Sequence, residues 1–323
     1  MTSPYERTEV FDAYWGFAAE RQSVFIKRVA GVPSPWTTDP ILQQYKFTNP
    51  YRASDRTSQY LIRHVIYGEG SQDPDEVFFR ILLFKLFNKV QTWKRFVEKF
   101  GIPNWRHFDF YDYVDVLHEI PSKQPVYSGA YIMPAPRFGE CSKYGNHLRL
   151  LAHIMNDRCW ERVGRAKTFS DVFEELSKYK TFGPFLAYQY AIDLNYSEMI
   201  NFSEMDFVVA GPGARDGIAK CFKNLDKRVK SIDFSQYIRY MASVADEEFS
   251  RLGITFDTLW GRKLHLIDYQ NIFCEISKYS RVSHPSVIGL NGNRRIKNRY
   301  GVSAEPLAPQ WYPPKWGINS LLA

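Results

Sequence analysis

Two carboxylates and one crowded run of amides, hydroxyls and cations are the residues of this chain whose types could do chemistry. Asp206 is the first carboxylate. It closes a stretch that opens at Lys180 and contains the turn Gly183-Pro184-Phe185, which leads into an apolar helix. Amides of such a turn, backed by the helix N-terminus, hold a phosphate. A second turn, Gly211-Pro212-Gly213, follows Asp206 and again precedes a helix. The two turns with the acid between them favour a nucleic-acid reading more than either turn alone. Each turn alone fits an ordinary helix–helix corner equally well. Asp268 is the second carboxylate. It recurs with Asn271 and Glu275 at spacings of three and four, so the three share one helix face. Such a face lines a cavity or forms a buried network.

The crowded run covers residues 35–56. Lys46, Thr48, Asn49, Arg52 and Arg56 sit there among aromatics outside any clean periodicity. These side chains suit reading a base edge and clamping phosphates. The alternative is a salt-bridge network in which Arg52 and Arg56 pair with Glu20 or Asp55. Residues 84–92 end one helix and start another, and Asn88-Lys89 there reads as an exposed polar tip. A tip of that kind fills the hole left by an extruded nucleotide. It also fits a plain interhelix turn. Residues 129–137 read as a buried loop with one cation, Arg137, lining a pocket or simply packing. Arg294, Arg295, Lys297 and Arg299 form a basic run that suits backbone phosphates at salt-dependent affinity.

These groups must be positioned by helices. Periodic apolar residues predict helices over 12–28, 39–46 with Pro40 at the first position, and 56–67 capped by Ser54 or Asp55. Further helices are predicted over 77–90, from 92 to the Gly101 stop, 110–119, 146–160, and 168–176 capped by Ser170. The last are predicted over 185–194, 214–222, 234–251 and 264–279. Residues 126–136 read as β-like or irregular. Strand signals are scarce, so the class is mainly α. Residues 1–285 make a helical domain, read as one body or as two lobes with a cleft, and 286–323 a basic tail rich in proline and aromatics.

The 323 residues suffice for a sizeable core, and 42 Lys and Arg against 35 Asp and Glu leave a formal charge of +7. That balance is compatible with a polyanionic partner without requiring one. The four cysteines form no CxxC pair and read as buried free thiols, and the seven histidines show no metal-ligand spacing. No P-loop, GxSxG or HExxH motif is present. The polar N-terminal residues 1–7 lack a signal-peptide core, and the apolar run 78–87 is too short to span a membrane. The expectation is a soluble cytoplasmic protein, in the host cytoplasm if phage-encoded.

These motifs together resemble the α-glutamyl/putrescinyl thymine pyrophosphorylase family of bacteriophages, whose helical module also occurs joined to 5-hydroxymethyluridine DNA kinases. The resemblance rests on the Glu20-Arg21 to Arg28 helix, Pro35-Trp36-Thr37 with Asp39-Pro40-Ile41-Leu42, and Tyr45-Lys46-Phe47-Thr48-Asn49 with Arg52. It continues through Phe87-Asn88-Lys89, Gly183-Pro184-Phe185, Asp206 to Gly213 and the Asp268 helix, about residues 10–285 in all. It implies a helix-hairpin-helix fold like that of DNA glycosylases, with an irregular basic tail. It implies displacement of pyrophosphate from 5-(pyrophosphoryloxymethyl)uracil in double-stranded DNA by an amino acid or putrescine, after base flipping. Asp206, or else Asp268, would take the proton of the amine. Arg52, Arg56 and Arg137 would neutralise the leaving pyrophosphate, beside Lys46, Thr48 and Asn49. Asn88, Lys89, Gly183, Pro184, Phe185, Gly211, Gly213 and the tail cations would hold DNA. A divalent metal such as Mg on the pyrophosphate fits the chemistry without a readable ligand set, and a 5-hydroxymethyluridine DNA kinase is an implied partner. Bifunctional glycosylases carry a nucleophilic lysine two residues after the hairpin glycine. Phe185 stands there, which speaks against Schiff-base chemistry. Competing readings are a glycosylase excising 5-hydroxymethyluracil, a non-catalytic module that binds modified DNA for a kinase, and a structural helical protein.

Overall fold

The computed structural model describes residues 5–131, 133–225, 232–301 and 307–322. Residues 1–4 of the polar N-terminus and Ile132 of the 129–137 loop lie outside the described residues. The described chain is mainly helical. In order it forms α1 (Glu9–Val29), α2 (Pro40–Gln44), α3 (Arg56–Tyr60), α4 (Pro74–Phe87), α5 (Val90–Phe100), α6 (Phe110–His118) and α7 (Lys143–Asn156). Then come α8 (Cys159–Gly164), α9 (Phe169–Ser177), α10 (Pro184–Asn195), α11 (Pro212–Cys221), α12 (Phe234–Arg251) and α13 (Leu266–Ser283). Strand pairing among the described residues is limited to isolated bridges.

The helices fall into two compact units. The first comprises residues 1–55, 207–310 and 318–323; the second comprises 56–206 and 311–317. The tail from 286 onward is therefore divided between them.

In the first unit, α1 buries Phe11, Tyr14, Trp15, Ala18 and Phe25, the face that the apolar spacing marks. Each large side chain contributes roughly 1.5–3 kcal/mol. The face packs on α11 and α13. The tightest pairing is α11 on α13. A Cβ on Gly217 would lie 1.9 Å from the Phe273 carbonyl oxygen, and one on Gly213 would lie 2.4 Å from Cys274 Sγ. Bare Cα atoms at positions 213 and 217 let the two helices come this close.

In the second unit, α4 is buried all round, Glu76 to Phe87 inclusive. Its three buried charges are each engaged. Glu76 accepts the backbone N–H groups of Trp105 at 2.6 Å and Arg106 at 3.2 Å. Arg80 donates to the carbonyls of Val65 at 3.0 Å and Ser71 at 2.7 Å. Lys85 pairs with Asp193 of α10 at 2.8 Å and lies 4.4 Å from the centre of the Tyr131 ring. Such a pair is retained only with good geometry, because removing either partner strands a buried charge.

Several boundaries differ from the sequence reading. The predicted 56–67 helix breaks into α3 and a π-helical stretch, Leu61–Ile66, whose last bond joins Tyr67 N–H to the Ile62 carbonyl at 3.1 Å. The predicted 146–160 helix stops at Asn156 because Arg158 turns left-handed at φ 52°. The cap of α9 is Thr168 rather than Ser170: Thr168 Oγ1 accepts the Asp171 N–H while Asp171 accepts the Thr168 N–H, a reciprocal pair that Ser170 lacks. Of the four free thiols expected to be buried, Cys159 and Cys221 are, Cys274 is half-buried and Cys141 is exposed.

Candidate functional site

The crowded run and the Asp268 helix meet in the first unit. Asp39 caps α2, its Oδ1 accepting the N–H groups of Ile41 and Leu42, while its Oδ2 accepts the Tyr279 hydroxyl at 2.7 Å. Thr48 N–H donates to Glu275 Oε2 at 3.2 Å. Asn271 Nδ2 donates to the Asn49 carbonyl at 2.7 Å. The Asn49 side chain is fixed by its own Nδ2, which donates to the Ser54 carbonyl at 2.7 Å. Asp268 accepts two backbone N–H groups, Arg52 on Oδ1 at 2.9 Å and His265 on Oδ2 at 3.0 Å. The shared face of Asp268, Asn271 and Glu275 thus becomes the holder of residues 48–52. Asp268 has both oxygens committed to backbone, and Arg52 is buried.

Asp55 completes this cluster. Its Oδ1 accepts the Asn49 N–H at 2.9 Å. Burial pushes its carboxyl up to about 7, with Glu275 adding to the rise and the Asn49 bond, Arg21 and Arg52 opposing it. Burial also pulls Arg21, from α1, down to about 10, against the pull of Asp55 and Glu275. Sequence reasoning named Asp55 as a pairing partner or a helix cap, and Arg21 only within a helix. A carboxyl perturbed by burial beside cations is a functional-site signal that no local pattern carries. A shallow open depression of about 490 Å³, lined by Glu20, Thr38, Asp39, Pro40, Ile41 and Tyr279, lies in the same unit.

The basic run lies against this unit as an ordered arm. Lys46 N–H donates to the Asn298 carbonyl at 3.0 Å and Tyr300 N–H to the Gln44 carbonyl at 2.9 Å, so Tyr45 and Arg299 form an antiparallel bridge. Upstream, Arg281 holds the Arg295 carbonyl at 2.9 Å, and Asp216 Oδ1 accepts the Asn291 N–H at 2.6 Å. Gly289 passes so near Asp216 that a Cβ there would lie 2.5 Å from Oδ1. Lys46, Arg294, Arg295, Lys297 and Arg299 are all exposed along this arm. The bridge brings Lys46 beside the other cations across a long gap in sequence.

In this unit Gly211 is buried as the N-cap of α11, and Gly213 faces Cys274. The packing of α11 on α13 thereby accounts for the small residue at 213.

The remaining site residues lie in the second unit. Asn88 ends α4 in the left-handed region at φ 48° and is buried, not an exposed tip. Residues 125–128 cover it: Lys89 Nζ holds the Pro125 carbonyl, Thr92 Oγ1 donates to the Val126 carbonyl at 2.7 Å, and Ser128 N–H donates to the Phe87 carbonyl at 2.9 Å. The loop is fixed further by His147, which meets the Tyr127 hydroxyl at 2.7 Å and the Pro134 carbonyl at 2.9 Å. Burial brings that imidazole down to about 4, so it is neutral. Arg137 at the loop's end is exposed rather than buried, because the chain there has left the core. The Gly183 turn forms as read, with Pro184 opening α10 and Gly183 and Pro184 exposed. The left-handed residue of that turn is Thr181 at φ 79°, whereas Gly183 sits at φ −62° with nothing within 4 Å of where a Cβ would be. Phe185 lies 6.0 Å from Tyr131, ring centre to ring centre. Arg56 and Asp206 are exposed, and Asp206 N–H donates to the Ser203 carbonyl at 3.1 Å.

A family model described as the helical domain of 5-hmdU DNA kinase matches residues 8–289. The chain belongs to this family. Its similarity extends to the 5-hmdU DNA kinase of Bacillus phage SP10, 27% identical over 293 residues, which cover 84% of this chain and 45% of that protein. The chain therefore spans less than half the length of this curated relative. No solved structure matches the chain. The match is to the kinase-associated helical module rather than to the pyrophosphorylase family that the motifs resemble, and the matched span contains the polar cluster with Asp55, Asp216 and Gly289. It stops short of the basic arm at Arg294. Among the described residues, no helix is long and apolar enough to cross a membrane.

Proposed function

We propose that this chain serves phage thymine hypermodification by displacing pyrophosphate from 5-(pyrophosphoryloxymethyl)uracil in DNA with an amine. The observation that carries the reading is the presence, in one unit of a 5-hmdU DNA kinase helical-domain protein, of an exposed cationic arm and a polar cluster holding a carboxyl near neutrality. The arm suits duplex phosphates. The Gly183 turn and the Tyr131–Phe185 pair of the second unit are proposed as further DNA contacts. In the reaction the bond from the exocyclic methylene carbon to the pyrophosphate oxygen breaks while the base ring supplies electrons. The neutral amine then forms a C–N bond to that carbon and gives up a proton. A carboxylate with its pKa near the working pH takes that proton best. Asp55 fits the requirement better than Asp268, whose oxygens hold backbone, and exposed Asp206 is the alternative. Exposed Lys46, in the same unit as Asp55, is proposed to receive the departing pyrophosphate. Among the described residues no three His, Cys, Asp or Glu side chains gather to hold a metal, so Mg would arrive on the pyrophosphate.

The test is nucleoside mass spectrometry of DNA bearing the pyrophosphorylated base after incubation with the protein and glycine, glutamate or putrescine. An amine-adduct nucleoside together with free pyrophosphate is expected. Abasic sites instead would assign the chain as a glycosylase. The relative's name and the 45% coverage of its length favour one second reading, a module that binds modified DNA for a kinase. Binding with unchanged nucleosides in every reaction would select it.

A further inference from the structure

One half-buried ring of the second unit, Tyr131, is held by three different kinds of contact. Its centre lies 4.4 Å from Lys85 Nζ, its hydroxyl donates to Gln189 Oε1 at 3.1 Å, and its ring lies 6.0 Å from that of Phe185, centre to centre. Phe185, Gln189 and Asp193 recur every four residues and share one face of α10. That face runs inward from the Gly183 turn. Phe185 is half-buried, Gln189 and Asp193 are buried, and Asp193 pairs with buried Lys85 at 2.8 Å. Tyr131 therefore fills a slot with an aromatic rim, an amide on its wall and a charged floor.

A tyrosine ring alone does not call for that floor, since exchanging a buried ion pair for packed apolar residues is often neutral or stabilising. A thymine-type base uses all three parts. It is a single six-membered ring, as the phenol is. Its ring N–H can donate to Gln189 Oε1 in place of the Tyr131 hydroxyl. Either carbonyl flanking that N–H gives the Lys85 ammonium a charge-assisted acceptor, which the face of a phenol lacks. Phe185 gives the base a stacking surface. Room for Tyr131 to swing aside lies next to it: Gly129 and Ala130 are exposed, and nothing lies within 4 Å of where a Cβ on Gly129 would be.

We propose that this slot is a pyrimidine-base subsite, with Tyr131 as the stand-in that a base displaces. The proposal deepens the reading above and rests on its claim that Tyr131 and Phe185 contact DNA. It divides their roles, since Phe185 stays as the stacking wall and Tyr131 gives way.

The test separates base from backbone. Affinity is measured at one salt concentration for oligothymidine and for an abasic strand of the same length and charge, so that the ratio of the two cancels the phosphate contribution. Tyr131→Ala removes the competing ring and is expected to raise the preference for oligothymidine about tenfold over wild type. The gain is expected to be smaller for oligodeoxyadenosine, because the slot has the size of one ring. Adding Gln189→Ala to Tyr131→Ala is expected to abolish it. Tyr131→Phe keeps the ring and drops only the bond to Gln189; a rise of about threefold is expected, and this variant carries the test if circular dichroism shows that Tyr131→Ala does not fold. An unchanged preference would make Tyr131 plain packing, and a lowered one would make it a stacking surface in its own right. Either overturns the proposal, as does an equal gain on adenine. An amine adduct formed by the wild type with no gain in the variants sinks this subsite alone, whereas a gain without any adduct sinks the transferase alone.

Discussion

Replacing Asp55 by Asn isolates the cost of holding a carboxyl in the polar cluster. The amide oxygen can still accept the Asn49 N–H that Asp55 Oδ1 accepts. Arg21 on α1, Arg52, and Glu275 and Lys278 on α13 are the charged groups that act on the site. Burial raises the folded-state pKa from 3.8 to about 7. A raised acid binds its proton more tightly folded than unfolded. Its stabilising contribution is complete below the unfolded pKa and is lost as pH rises through the folded one. At about 1.4 kcal/mol per pKa unit the whole effect is about 4 kcal/mol, of which about 2.5 kcal/mol falls between pH 5 and pH 8. Asn does not titrate. The stability of Asp55→Asn relative to wild type should therefore rise by about 2.5 kcal/mol over that interval. Urea denaturation of both proteins at half-unit pH steps measures this directly. Parallel profiles for the two proteins would refute the reasoning, since they would mean that Asp55 titrates alike folded and unfolded.

Three further outcomes follow from the arm, from the α11–α13 contact and from an unobstructed glycine on α1. Neutralising Lys46, Arg294, Lys297 and Arg299 together should lower the slope of log affinity against log salt by about 3.6 for duplex DNA, as about 0.9 is expected per phosphate contact; fluorescence anisotropy across 50–200 mM salt checks it, and an unchanged slope removes the arm from the interface. Gly217→Ala drives a Cβ to 1.9 Å from a backbone oxygen of α13 and should cost at least about 3 kcal/mol in thermal or urea melts. Gly16→Ala on α1, with nothing within 4 Å of the new atom, should instead stabilise by about 0.5–1 kcal/mol.

The helices were legible where one face repeats, as in α1, and where a cap has a strong signature, as Asp39 and Pro40 give α2. They were less legible where burial is complete. Helix α4 shows no polar side, and nothing in the local pattern tells that Lys85 and Arg80 are interior groups with fixed partners. The break between α7 and α8 rests on a left-handed arginine, which composition does not announce. The site was legible as a list of residue types and not as an arrangement. Asn49, Thr48 and Arg52 stand out in sequence, yet their holder, Asp268, read as a reactive group. The burial that lifts Asp55 and the pairing of Lys46 with the tail depend on contacts more than 200 residues apart.

The absence of side chains at positions 213 and 217 has a mechanical consequence. With a carbonyl of α13 pressed against one bare Cα and Cys274 against the other, α11 and α13 have no slack and move as one rigid strut. One end of that strut's business is Glu275 and Asn271, which grip residues 48 and 49. The other is Asp216, which grips Asn291 at the root of the basic arm. The polar cluster and the root of the arm are therefore fastened to one and the same helix pair. Asp216 itself helps to close that pair, since its Oδ2 accepts the Ser277 hydroxyl of α13 while its Oδ1 holds the arm.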